Sequence, residues 1–63
     1  MDFKTLLKLK AANNRLPHDA YFSYQGVEIF DFKARPKPGV ELNDGRWVSL
    51  GNVVNRDIAF HFD

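Results

Sequence analysis

The side chains best suited to acid–base or metal chemistry are His18 and His61, and both stand near carboxylates: His18 precedes Asp19, and His61 lies two residues before Asp63. His-x-Asp on one side of a strand offers a metal two ligands, whereas a zinc site needs three or four. His18 would have to arrive from a separate loop, so the simpler reading places it on the surface and puts His61 on the solvent side of a terminal strand. Nucleophilic catalysis needs a hydroxyl or thiol beside a base with an orienting acid. The chain has no cysteine, and its hydroxyls at Ser23, Ser49 and Thr5 fall in segments that read as strand, strand and helix. Nothing resembles Gly-x-Ser-x-Gly. Paired carboxylates for glycoside chemistry would be drawn from Glu28, Asp31 or Glu41, with no pocket to hold them. The four glycines, Gly26, Gly39, Gly45 and Gly51, stand singly at turns rather than in a phosphate-cradling loop. The expectation is a protein that is not an enzyme and has no cofactor, no metal and no small-molecule substrate.

Binding residues are better represented. Six Phe, two Tyr and one Trp are many for 63 residues. The cations are segregated along the chain. Lys4, Lys8, Lys10 and Arg15 stand against Asp2 in residues 1–15, and Lys33, Arg35 and Lys37 stand together in residues 33–37. Between these clusters lie Asp19, Glu28 and Asp31, and the formal net charge is only +1. Single-strand nucleic-acid binders combine a basic track with rings on which bases stack. Lys4, Lys8, Arg15, Lys33, Arg35 and Lys37 could supply the track, and Tyr21, Phe30, Phe32 and Trp47 the platform. The interleaved acids and the low net charge weigh against that reading. A protein interface accounts for the same residues more simply, because Trp, Tyr, Phe and Arg are enriched there. On that reading Tyr21, Phe30, Phe32 and Trp47 make contact, and Arg46 and Glu41 form the rim.

These residues must be positioned by very little structure. A chain of 63 residues is one small domain spanning 1–63, and a core of that size rarely supplies more than ~3–5 kcal/mol of net stability. Its 44% hydrophobic content, against 27% charged, nevertheless argues for folding rather than disorder. Asp2 is a natural N-cap for a helix over about 3–13, with Phe3, Leu6 and Leu7 on one side. Lys10 falls near the centre of that apolar arc, so it must either snorkel or mark the edge of burial. Pro17 ends the helical region. From Ala20 the period becomes two. A hairpin over about 20–33 turns at Gln25-Gly26, with Tyr24 facing Val27 and Phe22 facing Ile29. On its other face Tyr21 lies opposite Phe30, with Phe32 beyond. A basic loop with two prolines over 33–39 reads as extended and polyproline-like. Asn43-Asp44-Gly45 then turns a second hairpin over about 40–50. A three-residue loop with a left-handed Gly45 pairs Leu42 with Arg46 and sends Trp47 to the face of Glu41, whereas a two-residue turn would pair Leu42 with Trp47; the three-residue loop is preferred. The last strand is about 58–62, with Ile58, Phe60 and Phe62 on one face.

Helix, two hairpins and a strand make an α+β fold: one N-terminal helix packed on a four- or five-stranded antiparallel meander. One short helix covers one sheet face, yet large rings fall on both. The second face can be satisfied in three ways: by curling into a small SH3-like barrel, by packing against a second copy, or by binding something else. The resulting expectation is a small regulatory or inhibitory protein, of the kind found in bacteria and phages. It would act on a larger protein partner, or on itself as a homodimer, through the aromatic face or an open strand edge; nucleic acid is the alternative ligand. With no cysteine framework and no long apolar run, a cytoplasmic location and no membrane association are expected.

Overall fold

A computed structural model describes residues 1–63. The helix α1 spans Phe3–Asn13, and the strands are β1 (Ala20–Tyr24), β2 (Val27–Lys33), β3 (Gly39–Leu42), β4 (Trp47–Ser49) and β5 (Ile58–Phe62). Two 3₁₀ turns, Leu50–Asn52 and Asn55–Asp57, carry the chain from β4 to β5. All pairings are antiparallel and the sheet order is β4-β3-β2-β1-β5. The class is the expected α+β, with two refinements. The sheet stays open, with β4 and β5 as its two edges, so no barrel forms. The first four strands run as a meander, but β5 crosses to the free side of β1 instead of pairing with β4.

Local chemistry explains the elements. Asp2 caps α1 by accepting from the Thr5 N–H at 2.8 Å. Gln25 and Gly26 both have positive φ, 51° and 82°, as a two-residue primed turn requires, and Tyr24 faces Val27 across it. In the second hairpin Leu42 N–H donates to the Arg46 carbonyl at 2.9 Å, with Gly45 at φ 93°. Trp47 therefore lies opposite Glu41. The prolyl loop departs from expectation. Lys33 and Gly39 are paired across β2 and β3, so residues 34–38 must reverse the chain, and they bend at Arg35, Pro36 and Lys37 rather than running extended.

Leu6, Tyr24, Ile29, Phe32, Val40, Leu42 and Val53 form the buried core, with Phe22, Val48, Leu50 and Ile58 packed around it. Val53 enters from the connector between the two 3₁₀ turns. That connector is pinned from two sides: the Met1 ammonium donates to the Val53 carbonyl at 2.8 Å, and the Val54 N–H donates to the Tyr24 hydroxyl at 3.2 Å. The helix packs on β2. No helix is long and apolar enough to cross a membrane.

Candidate functional site

A bulge in β2 decides which aromatics are available. Ile29 pairs with Leu42, but the next pair is Asp31 with Glu41, which leaves Phe30 as the extra residue. After an insertion the alternation of a strand changes phase. Phe32 accordingly pairs with Val40 and is fully buried, 0% exposed. Assigning Phe32 to an outward binding face is thus corrected: it is core, with its ring edge-on to Phe22 at 5.8 Å. Phe30 is 62% exposed.

The remaining predicted aromatics split into two groups. On the β1–β5 half of the outer face, Tyr21 stacks on His61 with ring centroids 4.6 Å apart, and Ser23 Oγ lies 2.8 Å from His61 Nε2. This pair invites comparison with a serine nucleophile and its base. Ser23, however, is buried, and no carboxylate hydrogen-bonds the second ring nitrogen, so the pair lacks both access and an orienting acid. Its evident role is to satisfy a buried hydroxyl across two strands. No group of three metal-ligating side chains forms anywhere in the chain.

The second group is built around Trp47. Trp47 stands opposite Glu41, and its indole lies across Gly39, where a Cβ would meet Trp47 Cζ2 at 2.5 Å. A side chain at position 39 would lift the ring off the sheet, so the glycine is what lets it lie flat. The indole is 40% exposed and forms the floor of a groove of about 340 Å³, lined also by Lys33, Arg35, Pro36, Lys37 and Glu41. Lys33 is paired with Glu41 at 3.2 Å. Arg35 and Lys37 have no ion pair. Arg46 is turned away to Asp44, which it holds at 2.7 Å. The Arg46 backbone N–H, its guanidinium and the charge of that group hold the Asp44 carboxyl below the ordinary carboxylate range.

A second depression shares Lys33 and Arg35 and is completed by Lys10, Asp31 and Ala34. Lys10 Nζ donates to the Phe32 carbonyl at 2.8 Å and lies 3.7 Å from Asp31. This is snorkelling, one of the two outcomes that its place in the apolar arc allowed. The helix therefore brings one cation to the loop cluster, and it is Lys10. Lys4, Lys8 and Arg15 are exposed but line neither groove. The pairing of Lys10 with this loop was not visible in the sequence, because it depends on where α1 crosses β2. Comparisons with protein-family models, with curated proteins and with solved structures find no match.

Proposed function

We propose that the chain is a small non-catalytic binding protein that recognises an extended acidic segment of a larger protein in the groove beside Trp47. The observation that carries this reading is the flat, half-exposed indole flanked by two cations with no ion pair, Arg35 and Lys37. A ring held on a rigid strand supplies contact area at low entropic cost, and Trp dominates interface hot spots. The cations would steer an acidic partner and set its specificity. Lys33, Arg35 and Lys37 against Glu41 leave the groove with an excess of positive charge.

The same geometry supports a second reading, a single-stranded nucleic acid with a base on the indole and phosphates on Arg35 and Lys37. One titration separates the two. Trp47 is the only tryptophan, so its emission reports the groove directly. A Glu/Asp-rich peptide and a single-stranded oligonucleotide are titrated in parallel at low salt. A peptide response lost in Trp47→Ala and weakened in Arg35→Ala supports protein recognition. An oligonucleotide response whose affinity falls with salt at a slope near −0.7 per phosphate transfers the groove to the second reading. No emission change with either ligand removes both.

A further inference from the structure

We infer that β5 is a self-association edge, and that two copies of this chain pair through it, antiparallel, about a two-fold axis at Phe60. This surface lies at the far side of the sheet from the Trp47 groove and does not depend on it.

The backbone supplies the first argument. Gln25 N–H donates to the Asp57 carbonyl and Asp63 N–H to the Asp19 carbonyl, while Tyr21 faces His61 and Ser23 faces Ala59. Hydrogen-bonding direction alternates along a strand. The odd-numbered residues of β5 therefore point at β1, and the N–H and C=O groups of Phe60 and Phe62, with the Ile58 carbonyl, point away from the sheet with no partner, while the Ile58 N–H donates to the Asn55 carbonyl of the preceding 3₁₀ turn. In a second copy turned about Phe60, Phe60 faces Phe60 and Ile58 faces Phe62. The two Phe60 residues then exchange both their bonds, and each Phe62 N–H meets the Ile58 carbonyl of the other copy, so both free outward donors of each chain find an acceptor. On the opposite face Ala59 falls beside the other copy's His61, a small residue next to a ring.

Contrast between the two edges supplies the second. Soluble proteins guard free edges with short strands, charge, proline or bulges. The β4 edge is guarded by its shortness, with only three residues. β5 has five residues, Ile-Ala-Phe-His-Phe, with no acid, lysine, arginine, proline or bulge. Its Phe60 and Phe62 are 53% and 65% exposed on the face where α1 packs over β2 and leaves the β1–β5 end uncovered. Pairing two copies aligns these rings in one row with the Phe22–Phe60 contact, whose centroids are 5.4 Å apart.

Charge and closure point to a second copy rather than a longer assembly. The net charge of +1 sets little repulsion between copies. At each end Asp63 would meet Asp57 of the other chain, a local repulsion confined to the strand ends, with Arg56, which has no ion pair in its own chain, next to Asp57 in sequence. After pairing, the only edges left are two guarded β4 strands, so an isologous contact closes at two copies. The dimer would carry Trp47 grooves at the two outer ends of a continuous ten-stranded sheet, five strands from each copy.

The test is sedimentation equilibrium of the full chain over a thousandfold concentration range. The expected mass rises from 7.3 kDa to twice that value and no further. Phe60→Lys, which places like charges on the axis, and Phe60→Pro, which deletes an outward-pointing N–H, should both hold the mass at one chain. A single-chain mass for the unaltered protein throughout, growth past two copies, or a dimer that survives in both folded variants each overturns the inference. Should either variant unfold, amide exchange of the unaltered chain decides. Protection of Phe60 and Phe62 that increases with concentration supports pairing, and protection independent of concentration overturns it. Trp47→Ala should dimerise normally, so failure of the groove reading leaves this result interpretable.

Discussion

Gly39→Ala tests the floor of the groove with a single methyl. No positive φ demands glycine at this position; the requirement is space. A Cβ there would stand 2.5 Å from Trp47 Cζ2, 2.9 Å from its Cη2 and 2.6 Å from the Val48 carbonyl oxygen. The indole is partly exposed and can swing outward. The Val48 carbonyl belongs to the backbone of β4, so relieving that contact means easing β3 away from β4. Overpacking of this kind costs ~1–3 kcal/mol, and replacing glycine returns ~0.4–1 kcal/mol by restricting the unfolded chain. The net loss runs from about zero to ~2.6 kcal/mol and is centred near ~1.3 kcal/mol, a large share of the ~3–5 kcal/mol available to so small a core. Urea unfolding followed by circular dichroism measures it, and the emission of Trp47 records the displaced ring. In the Gly39→Ala, Trp47→Ala double variant the indole clash is gone but the carbonyl clash stays, so stability should recover only in part. If Gly39→Ala melts within ~0.5 kcal/mol of the parent, the range of ordinary surface substitutions, with unchanged emission, the indole does not rest on Gly39. The groove then has no floor.

Other outcomes follow from burial, turn geometry and charge. Phe32→Ala should abolish folding, since removing a buried Phe costs ~3–5 kcal/mol, whereas Phe30→Ala at the exposed bulge should leave the urea midpoint nearly unchanged; equal effects would contradict the bulge. Gly45→Ala, at φ 93°, should destabilise by more than ~0.4–1 kcal/mol in the same assay. The Asp2 carboxyl is held below its ordinary value of 3.8 by the Thr5 hydroxyl and then by the Thr5 N–H. Its folded-state value lies below the unfolded one, so its contribution is complete above pH 3.8 and is lost as pH falls through the folded value. Asp2→Asn, which still caps the helix, should flatten the acid limb of the stability curve measured by thermal melts.

Much of the frame was legible because it rests on short-range chemistry. Asp2 starts the helix, Pro17 follows its end, Gln25-Gly26 and Asp44-Gly45 make the two turns, and each turn fixes its register within a few residues. The placement of Trp47 opposite Glu41 followed directly from the Gly45 loop. What escaped was long-range. Alternation alone gives β5 an apolar face but does not say which strand it joins. Val53 reads as an ordinary turn residue until its connector is seen folded into the core. The value of Gly39 depends on a ring arriving from another strand.

The bulge at Phe30 shows how one local event redistributes candidate site residues. Strict alternation through Ile29-Phe30-Asp31-Phe32 puts both phenylalanines outward, which is the pattern of a continuous aromatic face. Tertiary packing imposes a different solution. The β1–β2 ladder covers only Ser23↔Glu28 and Tyr24↔Val27, so the later part of β2 follows β3 alone. Freed from β1, that stretch can take an extra residue, turn Phe32 beneath the helix and leave its carbonyl to Lys10. The core gains its largest fully buried side chain, and the outer face loses one of its expected rings. Recognition chemistry is thereby concentrated at the β3–β4 end, where Trp47 meets the basic loop. The apolar surface that the short helix cannot reach is left at the opposite end, on β5. A single three-turn helix over a five-stranded sheet produces this division: it covers the middle of one face and leaves the two ends to different tasks.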